Sequence, residues 1–544
     1  MLRRGDRDPL TIYRVASLLM RNASENDVIK TLERFVAHIP AHVWLPVVNH
    51  LSSHMFSEGP IGSVMKGIIK RVLVKYPYHT LNFIFFYTAK SGEQTGESMR
   101  RSKIATQFLK ECASVSSKLR EIITKLQEIH GIYNQFAEAD PEDRRFFRRE
   151  RDKDGTKYFL LDSLQIWNKR SLLTAAPIPI ITQRVVPDSD CSTSDLVFFS
   201  KVGNFCQKAG GLTTPKYIKI KGSDGVVYQL IAKREDLRQD SLVQQMFEIT
   251  KTIVATDDPL SIRTYHVLPL NADHGFIEWC QGTQSMCSVL IGQDRRSGLH
   301  QEINPSDPTA ADLGSELEKL NSIADDKEAG LEFKKLCRQI NPVFRFYFYG
   351  CFKTARSWRE AIRRYTTSLA RWSIVCFIVG LGDRHLNNIL IDSETGQLVH
   401  IDLGMIFEYS SRVLPIPERV PFRLTRDFVD PLMLDGVHGS FKRIACDALK
   451  KIREESSVLF GIGHLLLTDP VSSFRIISKI KDEVKDAEKT FSKTALSRFK
   501  LKLQGIDLLE LTYRTPEDQT SSLIDDARHP ENLARMFKGW MALI

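Results

Sequence analysis

The chain has 544 residues, 42% of them hydrophobic and 26% charged, and carries a formal net charge of +10. That balance excludes a disordered or fibrous chain and leaves room for roughly three or four domains at about 100–200 residues each. The charge is modest for this length and reads as a solvated basic surface; no zinc-finger or similar motif accompanies it, so no direct sequence-specific nucleic-acid binding is expected.

Apolar runs such as residues 373–381 and 79–87 fall short of the roughly 18–20 residues of a membrane span, so no membrane association is expected. The basic start has no apolar stretch or small-residue cleavage site behind it, which argues for an intracellular chain. Nine cysteines without a CxxC pair suggest reduced thiols rather than structural zinc or disulfides.

From residue 12 to about 136, apolar residues recur at helical spacing: Val28, Leu32, Phe35 and Ile39, then Leu119, Ile122, Leu126 and Ile129. Breaks at Glu58–Pro60 and Tyr76–Pro77 divide this part into stacked antiparallel helices, a helical solenoid fragment. Charge is dense over residues 144–157, and prolines with β-branched residues cluster over 176–190, where a domain boundary is expected. Residues 217–221 and 226–231 flank Ser223, Asp224 and Gly225, which predicts a β-hairpin because Asp-Gly suits turn positions with φ > 0. Val243, Phe247, Thr250 and Ile253 mark one face of a helix, and residues 265–270 and 275–279 read as two further strands. After Gly282 the pattern is mostly helical to Val379; two short strands, 389–391 and 398–401, then bracket Gly396.

Those last strands flank the chemistry. Phosphoryl transfer asks for a carboxylate to take the hydroxyl proton and for oxygen ligands that hold a divalent cation against phosphates. In GLGDRHLNNILIDSETGQLVHIDLGMI (380–406), Asp383 and Asn388 stand at the carboxylate-to-amide interval of the protein-kinase catalytic loop, and Asp402 sits in DLG, one residue from the DFG metal motif. Asp383 reads as the catalytic base, with Asn388 and Asp402 as metal ligands. His385 either stabilises charge on the transferring group or braces the loop.

GLGDRH, NILID and HIDLG in that order resemble the phosphoinositide 3-kinase-related kinases, whose catalytic loop runs Asp-Arg-His. VPFRLTRDFVD (420–430), DLRQD (236–240) and the C-terminal PENLARMFKGWMALI (530–544), similar to a FATC domain, extend the resemblance. KYPYHTL (75–81) is similar to the end of a FAT domain. IEWCQGT (277–283) and the leucine of DLG are most similar to the ATM branch.

The resemblance implies an α+β, bilobal protein-kinase-like (PI3/PI4-kinase) fold with an N-terminal α-helical FAT-type solenoid fragment and a short helical FATC domain. It divides the chain into the end of the FAT domain (1–180), the kinase N-lobe (186–279), the C-lobe (280–478), a regulatory helical segment (479–511) and FATC (512–544). The implied cosubstrate is ATP with Mg2+ or Mn2+, its adenine bonded to the backbone at Cys280 beside Glu278 and stacked on Trp279, the lesser alternative being a core tryptophan. The implied partners are protein substrates with Ser/Thr-Gln sites, a second copy through the FAT and kinase region, and DNA-break sensor proteins, in the nucleus.

One departure stands out. Family members place the phosphate-binding lysine one residue earlier than Lys233. A one-residue shift along a strand turns a side chain to the other face, so Lys233 reaches phosphates only if a bulge or strand end re-aims it; Arg234 is the competing cation. Asp240 or Glu235 is the expected partner of Lys233. The segment after DLG (405–421) holds no lysine cluster for an inositol headgroup: Arg412 and Arg419 stand against Glu408 and Glu418. A protein substrate is therefore favoured over a phosphoinositide, and a catalytically weak scaffold is the remaining alternative. Over 479–505, Ala487, Phe491, Ala495 and Phe499 predict one exposed helix, placed by the resemblance near the activation loop, where it either gates activity or simply packs.

Overall fold

Residues 10–22, 25–36, 38–88, 96–140, 148–151, 157–160, 196–208, 215–255, 262–292, 297–468 and 484–544 are described by a computed structural model. They belong to two units, the first drawn from residues 1–244, 265–281 and 464–475 and the second from the remainder. The expected boundary at 176–190 and the side chains of Leu32, Ala487 and Phe491 lie outside the described residues.

In the first unit the helical spacing of residues 12–136 becomes helices at Thr11–Arg21, Asn26–Val36, Val48–His54, Pro60–Lys75, Pro77–Thr88, Gly96–Ala113 and Ser117–Glu138, with a short one at Ala41–Trp44. The two expected breaks are helix starts. Pro60 and Pro77 each open a helix, where a missing N–H costs nothing because the first turn has no intrahelical acceptor. Ser116 caps the Ser117–Glu138 helix by accepting from the Leu119 N–H at 3.1 Å. That helix sends Ile129, Ile132, Tyr133 and Phe136 into a core shared with the sheet.

The sheet is antiparallel and seven-stranded: β1 (Arg148–Arg151), β2 (Lys157–Leu160), β3 (Phe199–Lys208), β4 (Lys216–Gly222), β5 (Val227–Lys233), β6 (Val267–Pro269) and β7 (Gly275–Glu278), in the order β1-β2-β3-β4-β5-β7-β6. The predicted 222–225 turn is present, with Gly225 at φ 82° and the Gly222 N–H on the Val226 carbonyl. β1 and the first residue of β2 fall in the stretch 144–157, expected only to be charged. The sequence RRER has no apolar alternation to betray a strand, and as the sheet's outermost member β1 does not require one.

In the second unit a three-stranded sheet, order β10-β9-β8, is built from β8 (Thr283–Ser285), β9 (Ile389–Asp392) and β10 (Leu398–His400). β8 was not foreseen, since its three residues TQS are polar. Beside this sheet runs the helix Ala355–Val379, begun by a Thr354/Ser357 capping box and ended by Gly380 at φ 62°. Trp372 anchors it: its indole N–H donates to the Leu398 carbonyl at 3.2 Å and its ring meets Phe247 edge-on at 5.1 Å. The helix Val484–Gln504 and the C-terminal helices Pro516–Arg528 and Pro530–Ala534 complete this unit. Among the described residues, no helix is long and apolar enough to cross a membrane.

Candidate active site

The second unit brings Asp383, His385, Asn388 and Asp402 together, and the means is a buried arginine. Arg384 is 2% exposed. Its guanidinium donates to the carbonyls of Gly382 (2.7 Å), Asn388 (3.3 Å), Ile401 (2.8 Å) and Asp402 (2.5 Å), fastening the loop before β9 to the turn after β10. The Ile401 N–H donates to the Asn388 carbonyl at 3.1 Å and closes the same junction. Asn388 donates through Nδ2 to the Asp383 carbonyl (2.9 Å) and to Asp383 Oδ2 (3.3 Å). Its Oδ1 is thereby turned to the other side of the amide.

Asp383 and Asp402 both take φ 58°, a left-handed conformation that a residue with a Cβ adopts only when its surroundings over-determine it. The glycine before Asp383 has a steric reason. A Cβ on Gly382 would lie 1.8 Å from Ser410 Oγ and 2.3 Å from Glu418 Oε2. That close approach lets Glu418 accept the Asp383 N–H at 2.8 Å.

Burial pushes the Asp383 carboxyl above its usual range; the Arg384 charge works against this and the Asp402 charge adds to it. Among the described residues the Asp402 carboxylate has no ion-pair partner. An amide oxygen beside two carboxylates lacking a shared counter-cation is the hard-oxygen donor set that suits a magnesium or manganese ion. His385 is held below its usual value, by burial first and then by the Arg384 and Arg423 charges. The Asn387 N–H donates to its Nδ1 at 3.2 Å, so the neutral ring carries its proton on Nε2, 3.9 Å from Asp383 Oδ2.

Lys233, Glu235, Asp240, Glu278, Trp279 and Cys280 belong to the first unit. In β5, Leu230 and Ala232 enter the core shared with the Ser117–Glu138 helix, so Ile231 and Lys233 take the opposite face. Tyr217 stands across from Ile231 and shares that face, and its ring meets Trp279 at 5.2 Å. Lys233 is the last residue of the strand and forms an ion pair with Glu235. Asp240 is buried in the first turn of the helix Arg238–Val254. Glu278 pairs with Leu230 across β5 and β7 and accepts the His266 N–H at 2.9 Å. Trp279 is 37% exposed, and Cys280 beside it is buried.

The charges after DLG are used inside the second unit. Glu408 accepts from Arg498 Nε at 2.8 Å and pairs with the buried Lys502, both on the Val484–Gln504 helix, while Phe499 of that helix meets Phe407 edge-on at 5.5 Å. Lys502 also donates to the Phe377 carbonyl at 2.7 Å. Arg419 pairs with Asp326 at 2.8 Å. Sequence reasoning missed Arg384, Glu418, Tyr217 and Ile231; the signal for the first was its place in DRH, and for the last two the strand alternation.

A model of the phosphatidylinositol 3- and 4-kinase domain matches residues 227–476, and a model of the FATC domain matches residues 514–544. The chain is similar to serine/threonine-protein kinase ATM of Caenorhabditis elegans, 34% identical over 540 residues, which cover 98% of this chain and 22% of that protein. It is also similar to serine-protein kinase ATM of Sus scrofa, at 29% identity over 99% of this chain and 19% of that one. Among solved structures, the complete CtTel1 dimer with C2 symmetry superposes with a TM-score of 0.83 at 25% identity, over 100% of this chain and 20% of its own. The structure of the FAT and kinase domain of CtTel1 does so with the same score and identity, over 100% of this chain and 37% of its own. The chain spans about a fifth of the length of the first two relatives.

Proposed function

We propose that this chain, which belongs to the phosphoinositide 3-kinase-related kinases, is an ATP-dependent protein kinase that phosphorylates serine and threonine hydroxyls. The observation that carries the reading is the Arg384 junction, which gathers Asp383, Asn388 and Asp402 at the ends of one hairpin. In this reading the acceptor oxygen attacks the γ-phosphorus, the bond to ADP breaks, and the hydroxyl proton passes to Asp383, whose raised basicity suits it for that transfer. The neutral His385 offers its Nε2–H to charge developing on the transferred group. Asn388 and Asp402 would hold magnesium or manganese, which when bound neutralises phosphate charge. Lys233 contributes a cation for the phosphates, braced by Glu235 and by Asp240 at the start of the next helix. Glu278, Trp279 and Cys280, with Tyr217 and Ile231, supply an apolar face and main-chain polar groups for the purine.

Resemblance to ATM and Tel1 kinases supports Ser/Thr-Gln sites in DNA-damage and checkpoint signalling, recruitment by DNA-break sensors, and a nuclear setting. The dimer described for CtTel1 supports a homodimer. The expected division of the chain, with FAT at 1–180, lobes at 186–279 and 280–478, a regulatory segment at 479–511 and FATC at 512–544, is part of this reading. Contacts of Arg498, Phe499 and Lys502 with Phe407 and Glu408 support a gating role for the Val484–Gln504 helix. Internal pairing of Glu408, Glu418 and Arg419, and the lack of lysine in 405–421, favour a protein over a phosphorylated lipid headgroup.

The test is phosphate transfer from ATP to a Ser-Gln peptide, a Ser-Ala peptide and phosphatidylinositol vesicles, with and without a chelator, beside Asp402→Ala. Transfer to the Ser-Gln peptide that is abolished by chelation and by Asp402→Ala is expected. Transfer to vesicles alone reverses the substrate assignment, and no transfer above Asp402→Ala to any acceptor makes the chain a scaffold.

A further inference from the structure

The guanidinium of Arg423, in the segment VPFRLTRD, is 3% exposed and has no aspartate or glutamate side chain bonded to it. Its Nη1 donates to the Trp540 carbonyl at 2.6 Å and to the Arg384 carbonyl at 3.3 Å; its Nη2 donates to the main-chain oxygens of Met541 at 2.8 Å and Ile544 at 2.6 Å. The Trp540 ring lies over it at 4.3 Å and the Phe428 ring at 5.2 Å. Nε has no partner among the described residues, so the fork alone carries the positional information.

This is a costly way to hold a charge. Burial pulls Arg423 down to about 9 despite the charges of Asp427 and Glu418. A buried hydrophobe would serve packing better; what the fork adds is a fixed distance between two pieces of backbone. One piece is residues 540–544. The other is the carbonyl of Arg384, the residue that joins Asp383 to His385.

We propose that Arg423 is a positioning residue through which residues 540–544 set the orientation of the Asp383–Arg384–His385 segment. Asp383 sits at φ 58° and needs its surroundings to keep it there. Arg384's own side chain fixes the carbonyls of Gly382, Asn388, Ile401 and Asp402, and Arg423 fixes the one carbonyl in the centre of that group, Arg384's own. A lysine keeps the charge but cannot span Trp540, Met541, Ile544 and Arg384 in a single plane. The proposal rests on the kinase reading for its catalytic consequence and not for its structural one.

The experiment compares the full chain with Arg423→Lys by peptide phosphorylation kinetics and by amide hydrogen exchange. A misplacement of about 1 Å at the base costs roughly 10²-fold, so kcat should fall by about that factor while the KM for ATP changes less than about threefold. Exchange should rise together in peptides covering 381–392 and 537–544, with the 355–379 helix unchanged. A kcat within about threefold of the parent, or faster exchange confined to 537–544, overturns the proposal. Exchange needs no catalysis: a parent chain that transfers no phosphate defeats the kinase reading, and the coupled exchange still decides the positional claim. If Arg423→Lys does not fold, removing residues 541–544 takes away the Met541 and Ile544 oxygens and leaves Arg423 in place; unchanged exchange at 381–392 in that variant counts against the proposal.

Discussion

The main-chain N–H of Asp383 donates to the Glu418 carboxylate at 2.8 Å, and the only residue that could stand between them without a clash is the glycine at 382. The carboxylate therefore holds the backbone of the proposed base, not its side chain. Glu418→Ala is expected to lower kcat about 10²-fold through misorientation. Glu418→Gln keeps an acceptor oxygen at the same reach and should stay within about threefold of the parent. Steady-state kinetics with the Ser-Gln peptide distinguishes the two, and equal losses in both variants would show that charge, not the bond, matters at this position.

Asp383 also sets a pH dependence whose sign follows from its raised pKa. As the proposed base it must be ionised, so kcat/KM should fall on acidification at a pH above the ordinary aspartate range, with no separate step at the ordinary histidine value because His385 is held below it. For stability the sign is opposite to that of a salt-bridged acid. Folding raises this pKa, so the ionised carboxylate costs stability at neutral pH and the cost vanishes below the unfolded value. Asp383→Asn should therefore abolish transfer yet raise Tm by about 2 °C or more at pH 7, a gain that shrinks at acid pH. A lower Tm at pH 7 would show that the loop depends on the negative charge.

Much of this was legible in the sequence because helix and hairpin signals are local. Val243, Phe247, Thr250 and Ile253 share a buried helix face as their spacing requires, and the 222–225 turn forms where Asp-Gly stands. Asp383, Asn388 and Asp402 were found because their spacing encodes a loop and a hairpin. Tertiary partners were not legible. Nothing in spacing says that Glu418 meets Asp383, or that Arg384 turns inward to four carbonyls, since such contacts arise only when distant segments pack. Which face Lys233 takes is set by the core beneath β5, which takes Leu230 and Ala232 and leaves Lys233 on the face of Ile231 and Tyr217, and counting along one strand does not reveal it. β1 and β8 escaped because charged or polar triplets at a sheet's edge carry no apolar pattern.

Glu408 joins the segment after DLG to the Val484–Gln504 helix through Arg498 and Lys502. Burial alone would raise its carboxyl, but the two cations overturn that and hold it below the usual range. Its contribution to stability is thus present above the ordinary glutamate value and lost as pH falls through the depressed one. Glu408→Leu leaves the Lys502 ammonium buried with only the Phe377 carbonyl and the Phe377 ring, 4.8 Å away, as partners among the described residues. A loss of about 3–5 kcal/mol is expected in denaturant unfolding. Adding Lys502→Met should recover most of it, because the penalty lies in the unpaired charge. A single variant as stable as the parent would mean that the ammonium deprotonates or reaches water.

Lys216 gives the first unit a pH response of its own. It is fully buried, donates to the Ala137 carbonyl at 2.7 Å and to that of Ala139, and lies 5.4 Å from the Phe136 ring, at the C-terminal end of the Ser117–Glu138 helix. The helix dipole favours a cation there, but burial wins and lowers the amine from 10.5 to about 7. Between those values the unfolded chain binds a proton that the folded chain does not. Stability should therefore rise with pH from about 7 to about 10.5, by up to about 1.4 kcal/mol per unit, before other groups titrate. Lys216→Met removes that proton linkage and should flatten the slope of thermal unfolding against pH over this window. An unchanged slope in the variant would assign the linkage elsewhere and imply that Lys216 stays charged between its two carbonyls.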